Sequence, residues 1–140
     1  MMIALVLWGL AAACNAVMDT LSHHYYQSIF SGLKNSYWNP ADSWKNKYID
    51  RDPKRGMRKI WLFDYPTFLT DGWHLFKSLM IFCLCGSASI LYVESREYLL
   101  LATEFPIITG AVLFVSLGTL WNIMFSLFYN RILKKINLYN

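Results

Sequence analysis

Three long apolar segments dominate this sequence and restrict what it can fold into. They cover about residues 2–20, 67–92 and 106–129. A helix needs about 20 such residues to cross the hydrocarbon core of a bilayer. Only 16% of the residues are charged, against about 25% in an average soluble domain. We therefore predict an all-α membrane protein, a single membrane domain over residues 1–140 with three transmembrane helices.

The connecting segments differ from one another in character. The first helix is expected to continue beyond residue 20 as an amphipathic extension to about Leu33. Residues 35–59 form an amphipathic loop rich in basic and aromatic residues, and residues 94–105 suit a short interfacial helix that ends before Pro106. Small residues at 11–14 and 86–89 would let neighbouring helices approach closely. The three cysteines lie in apolar segments, which favours free, structural thiols.

The basic residues of the chain are concentrated in and next to the loop. Eight of the thirteen lie there: Lys34, Lys45, Lys47, Arg51, Lys54, Arg55, Arg58 and Lys59. Interleaved Trp and Tyr residues suit a segment that lies on an anionic membrane surface. We expect Lys54, Arg55, Arg58 and Lys59 to contact lipid headgroups or another phosphate. Nucleic acid is not expected, because the flanking helices tether the loop to lipid.

The placement of charge also predicts the orientation. Three crossings put residues 35–59 and the C-terminus on one side, with eleven basic residues, and leave Arg96 alone on the other. Cytoplasmic loops carry the excess of Lys and Arg. The loop and the C-terminus are therefore expected in the cytoplasm, with the helices in the inner (plasma) membrane.

Polar residues recur at helical spacing near the predicted cytoplasmic end of each apolar segment. They are Asn15, Asp19 and His23 in the first segment; Asp71, His74 and Ser78 in the second; and Thr119, Asn122, Ser126 and Tyr129 in the third. Ionisable residues at membrane depth are costly and usually face the bundle interior. We expect the three stripes to converge at one depth, with Asn15, Ser78 and Asn122 supporting the Asp/His cluster.

A metal site is the chemistry that best fits these stripes. Asp19 and His23 share one helical face, as do Asp71 and His74. Two such pairs on facing helices would offer two imidazoles and two carboxylates to a divalent transition metal such as zinc, iron or manganese. Binding of a lipid headgroup is a second interpretation, and a third is that these residues only cap helices or hydrogen-bond their neighbours. The sequence contains no recognised catalytic motif. Whether the protein is an enzyme is therefore left open.

Several short motifs carry a resemblance. They are Asn15-Ala-Val-Met-Asp19-Thr-Leu, Trp38-Asn-Pro, Ser43-Trp-Lys-Asn-Lys-Tyr48, Asp52-Pro-Lys and Thr70-Asp71-Gly-Trp-His74-Leu-Phe. Over about its first 80 residues the chain resembles small uncharacterised integral membrane proteins of Bacteroidota-type bacteria and their phages. The resemblance implies a membrane location and no particular reaction.

Two other function classes remain open at this stage. One is a non-catalytic subunit or scaffold that uses its small-residue surfaces to contact a second copy or another membrane protein. The other is a phage holin-like pore former, which the small size and basic C-terminal segment allow.

Overall fold

Three long helices form the body of the protein. The computed structural model describes residues 1–33, 36–95 and 106–134. The long helices are α1 (Met2–His23), α3 (Gly72–Ser95) and α4 (Pro106–Leu127), and a short α2 (Pro40–Ser43) lies in the loop. Each long helix contains a stretch that is long and apolar enough to cross a membrane. The expected helical architecture with three such segments is therefore confirmed.

Helix α1 lies between α3 and α4. Half of its apolar stretch is buried, against 6% for α3 and none for α4. Its small residues allow this, because Ala4, Ala11, Ala12 and Ala16 are fully buried. The Ser87 hydroxyl of α3 donates to the Ala4 carbonyl at 2.9 Å. On the other side, the Trp8 indole N–H donates to the Leu117 carbonyl of α4 at 2.9 Å.

The extension beyond α1 is not a continuous helix. The α-helix ends at His23, and two 3-10 turns follow at Tyr25–Gln27 and Ile29–Leu33. Between them Ser28 pairs with Lys134 in an antiparallel bridge, and the Ile29 N–H donates to the Leu133 carbonyl at 3.0 Å. The extension is therefore held against the residues that follow α4.

The loop between α1 and α3 contains a β-hairpin, a departure from the all-α expectation. Strands β1 (Lys59–Ile60) and β2 (Phe63–Asp64) pair antiparallel. A second bridge, between Tyr48 and Met57, closes the segment that precedes the hairpin. The loop is thus a folded unit rather than an irregular chain.

One predicted element lies mostly outside the described residues. The interfacial helix was expected over residues 94–105, and the structure describes this stretch only to Ser95, where α3 ends.

Candidate functional site

Asp71 is the residue that starts helix α3. Asp71 as a whole residue is 3% exposed, and its Oδ1 accepts the backbone N–H of His74 at 2.9 Å. A carboxylate immediately before a helix satisfies one of the free N–H groups of the first turn. Of the predicted stripe Asp71, His74 and Ser78, only His74 and Ser78 lie in the helix, because α3 begins at Gly72.

Asp71 and His74 form a close pair. The Nδ1 atom of His74 lies 2.7 Å from Oδ2 of Asp71. The carboxylate is almost fully buried, whereas the imidazole is 39% exposed. Since Nδ1 is directed at the carboxylate, the opposite edge of the ring, with Nε2, is left for a ligand or a proton.

Residues of the loop enclose this pair from the other side. The Tyr37 carbonyl accepts the Gly72 N–H at 3.0 Å, and the Asn46 side-chain amide donates to the Thr70 carbonyl at 2.9 Å. Burial raises the pKa of Tyr37, and the nearby negative charge of Asp71 raises it further. The start of α3 is therefore an ordered junction of Tyr37, Asn46, Asp71 and His74.

The predicted partners on α1 lie at the matching depth but do not complete a metal shell. Leu21 of α1 approaches Gly72 of α3, so the two helix ends are level. His23 is exposed, and Asn15 and Asp19 are half-buried. In the described ranges the side chains of Asp19 and His23 make no hydrogen bond or ion pair. No group of three or more His, Cys, Asp or Glu side chains that could hold a metal occurs among those residues.

The polar stripe of α4 faces away from the other two helices. Thr119, Asn122 and Ser126 are exposed, and the Asn122 amide donates to the Gly118 carbonyl of its own helix at 3.0 Å. Tyr129 alone turns inward, where its ring packs edge-on against His24 at 5.3 Å. The three polar stripes were predicted to converge, but the α4 stripe does not meet the other two in the structure. Ser78 lies half-buried on α3.

A second candidate site is the basic surface of the loop. Lys54, Arg55, Arg58 and Lys59 are all exposed. Arg55 pairs with Asp50, and Arg58 lies over the Tyr65 ring at 5.1 Å. Within the described part of the chain, the Lys54 and Lys59 side chains have no acidic partner. We call these four residues the basic cluster.

An open concavity lies beside the basic cluster. Its volume is about 750 Å³, and its lining includes Arg51, Arg55, Arg58 and Lys59. Asp50 and Arg51 have positive φ angles of 49° and 61°, and the Ile49 N–H donates to the Gly56 carbonyl at 3.1 Å. Asp50 also lines this hollow and pairs with Arg55, while Arg51 pairs with Asp42. Arg58 and Lys59 are therefore the lining cations best placed for an anion such as phosphate.

The tip of the hairpin is apolar and exposed. Trp61, Leu62 and Phe63 are 94%, 91% and 78% exposed. Trp61 has a φ of 58°, a conformation that residues other than glycine rarely adopt. A bulky side chain at a position that favours glycine points to a use for that side chain. Lys59 and Ile60 form the strand that leads into this tip, so a cationic side chain lies close to the apolar ones.

Sequence reasoning missed the loop residues that build the α3 junction. Tyr37, Asn46 and Thr70 act there mainly through backbone or amide groups, which leave little trace in residue patterns. Gly72 is a clearer case, because a Cβ there would lie 2.6 Å from the Trp38 ring. A glycine inside the predicted helical segment of residues 67–92 indicates a close contact of some kind, but the sequence does not identify Trp38 as the neighbour.

Comparisons with known proteins found no relative of this chain. No protein-family model, no curated protein and no solved structure matches this chain.

Proposed function

We propose that this is a three-pass membrane protein whose loop binds anionic phospholipid headgroups. The proposal rests mainly on one observation, the exposed Trp61-Leu62-Phe63 tip close to the basic cluster. Aromatic and cationic side chains together are typical of segments at a membrane–water interface.

Electrostatic attraction of the basic cluster and burial of the apolar tip both favour docking of the loop on the membrane. Each Lys or Arg held near an anionic surface contributes about 1 kcal/mol, so Lys54 and Lys59, the two lysines of the basic cluster, together contribute about 2 kcal/mol. Insertion of the tip removes apolar surface from water at about 25 cal/mol per Å². Because α1 and α3 join both ends of the loop to the proposed bilayer, little further entropy is lost when the loop docks.

The orientation belongs to the same proposal. The basic loop and the segment after α4 face the cytoplasm, where anionic lipids and the excess of Lys and Arg are found. The bridge between Ser28 and Lys134 supports a common side for the α1 extension and the C-terminal segment.

Removal of two unpaired charges tests headgroup binding. In Lys54→Gln/Lys59→Gln, we expect the preference for phosphatidylglycerol over phosphatidylcholine to fall by about tenfold or more, given the contribution of each cation. The measurement is native mass spectrometry of lipids bound to the detergent-purified chain.

The matched control removes the same charge from the same loop. In Lys45→Gln/Lys47→Gln, the lost cations are one paired with Asp42 at 3.0 Å and one lying over the Tyr48 ring at 5.3 Å. This variant should keep its lipid preference. Equal losses in the two double variants would contradict a site at the basic cluster.

Insertion of the tip has its own readout. In nanodiscs that contain brominated lipid, Trp61→Phe should lose part of the tryptophan quenching seen in the wild type. Trp44→Phe is the control, because Trp44 lies in the same loop with its indole N–H bonded to the Ala41 carbonyl. If Trp61→Phe leaves the quenched fraction unchanged, the tip does not enter the bilayer.

A second candidate function is metal binding at His74. The observation that favours it is the 2.7 Å contact between Nδ1 and the Asp71 carboxylate. Metal-ligating histidines usually donate one ring nitrogen to a carboxylate, which orients the other nitrogen toward the ion. Asp19 and His23 are the predicted further ligands, and they would have to turn toward α3.

Elemental analysis of the purified protein tests this candidate. A near-stoichiometric zinc, iron or manganese content that is lost in His74→Ala and kept in His24→Ala is the expected result. His24 is the control because its ring packs on Tyr129 instead. A wild type without metal after purification in metal-containing buffer would remove the candidate.

A further inference from the structure

The outward face of α4 carries polar groups where lipid is expected. On the opposite face, α4 contacts α1 through the Leu117 carbonyl and the Trp121 ring, which lies 5.8 Å from Trp8. Thr119, Asn122 and Ser126 are exposed on the far side, where apolar neighbours such as Val115 and Ile123 are also exposed. The polar residues therefore form a narrow stripe on an otherwise apolar surface.

Asn122 carries the largest polar side chain of this stripe, and its hydrogen bonding is incomplete. Its amide nitrogen donates once, to the Gly118 carbonyl of its own helix at 3.0 Å. Among the described residues nothing bonds to its second amide hydrogen or to Oδ1. In hydrocarbon an unsatisfied polar group costs several kcal/mol, so a carboxamide placed there favours a protein partner over lipid.

The surface around Asn122 is open to a close neighbour. A methyl group placed on Gly118 would meet nothing within 4 Å. One turn further along the chain, the Ser126 hydroxyl accepts a hydrogen bond from the Asn130 amide at 3.2 Å. Small residues let two helix backbones approach, and Asn side chains hydrogen-bond across such contacts.

We propose that two copies of this chain associate in parallel through this face of α4, with their Asn122 carboxamides hydrogen-bonded to each other. A carboxamide is self-complementary, since each offers one donor and one acceptor to its twin. Copies inserted in the same orientation are related by a two-fold axis along the membrane normal, and equal residues meet at such an axis. Gly118 and Ser126 then lie one turn above and below the contact.

This dimer depends on the membrane insertion proposed above, but not on lipid binding by the loop. Resistance of the protein to alkaline extraction from membranes tests insertion separately. A chain that is inserted yet monomeric contradicts the dimer alone.

Energy transfer between donor-labelled and acceptor-labelled copies in lipid vesicles measures the association. We expect Asn122→Leu to weaken dimerisation by about tenfold. Asn122→Gln should retain most of it, and Ile123→Leu, at a lipid-facing position one residue along, should match the wild type. A wild type that stays monomeric at every protein density, or an Asn122→Leu variant that dimerises normally, would overturn the proposal.

Disulfide formation locates the contact without relying on the stability of Asn122 variants. In a background with Cys14, Cys83 and Cys85 replaced by alanine, Thr119→Cys and Ser126→Cys should cross-link rapidly between copies. Leu127→Cys, exposed on a different side of α4, is the matched control. Cross-linking at Leu127→Cys as fast as at Thr119→Cys would mean that another face is used.

Discussion

At the scale of single residues, Asp71 links the loop to helix α3. Its two carboxylate oxygens have separate tasks, since Oδ1 caps the helix and Oδ2 holds the His74 ring. The sequence pattern alone is compatible with a ligand role, because an Asp and a His three residues apart share a helical face. The observed geometry adds the capping role, which depends on where the helix starts.

Replacement of the cap should destabilise the protein measurably. We expect Asp71→Ala to lower the free energy of unfolding by about 1–2 kcal/mol, the usual cost of removing an N-cap. Asp71→Asn keeps an oxygen that can accept the His74 N–H, so its cost should be smaller. Denaturation in mixed micelles of detergent and dodecyl sulfate provides the comparison. Equal costs for the two variants would argue against the capping role.

Tyr37 reports on the same carboxylate through its titration. Burial raises the pKa of the Tyr37 phenol, and the charge of Asp71 adds to that effect. Asp71→Asn should therefore lower the Tyr37 pKa without restoring the ordinary value, because the burial persists. The measurement is the difference between tyrosine absorbance titrations of each protein with and without Tyr37→Phe. No change in the difference titration would show that Asp71 does not influence Tyr37.

The sign of the associated pH dependence follows from linkage. The folded state holds the Tyr37 proton more tightly than the unfolded state does. Its contribution to stability is complete below the unfolded tyrosine pKa of about 10. It is lost as the pH rises from there through the higher pKa of the folded state.

At the scale of elements, contact between Trp38 and Gly72 fixes how the loop meets α3. The Trp38 ring stacks on Phe30 at 5.0 Å and lies near Phe76 at 6.3 Å. It thereby joins the 3-10 extension of α1 to the first turns of α3. Only a residue without a Cβ leaves room for the ring at position 72.

Gly72→Ala tests this contact. The added Cβ would lie 2.6 Å from the ring of Trp38, so the ring must move, and overpacking of this kind costs about 1–3 kcal/mol. The unfolding assay used for Asp71 measures the loss. Gly110→Ala is the matched control, because its Cβ would meet nothing within 4 Å and alanine favours helix.

A double variant makes the assignment specific. Trp38→Leu shortens the side chain that Gly72→Ala would strike, so the two costs should be less than additive. Additive costs would mean that Gly72→Ala acts through something other than Trp38.

At the scale of the whole molecule, α1 is the helix that both other long helices contact. Its buried alanines let α3 and α4 pack on two sides. The outer faces of α3 and α4 are left apolar and exposed, which suits a lipid environment. The loop is then held at the end where α1 finishes and α3 begins.

The proposed orientation predicts which sites a membrane-impermeant reagent can reach. In the same background without native cysteines, Lys59→Cys should react with an impermeant maleimide only after the cells are opened. Met2→Cys, at the other end of α1, should react in intact cells. The reverse pattern would invert the topology, because the helix number and the charge bias predict opposite sides for these two positions.

The sequence by itself determined the class of architecture. Long apolar runs make helices of this length almost obligatory in lipid, because every backbone group must then bond within its own segment. The small residues near positions 11 and 86 likewise indicated close helix packing, and Ala11 and Ser87 are both fully buried. These properties depend on local composition, which the sequence displays directly.

Only the tertiary structure decided which way the polar residues face. The stripe of α4 and the stripes near Asp19 and Asp71 all have helical spacing, but spacing carries no information on how each helix is rotated about its axis. That rotation is set by side chains such as Trp8, which bonds to Leu117 and so turns Asn122 outward. The apolar hairpin tip was equally hidden, because its exposure results from long-range packing of the loop rather than from its own residues.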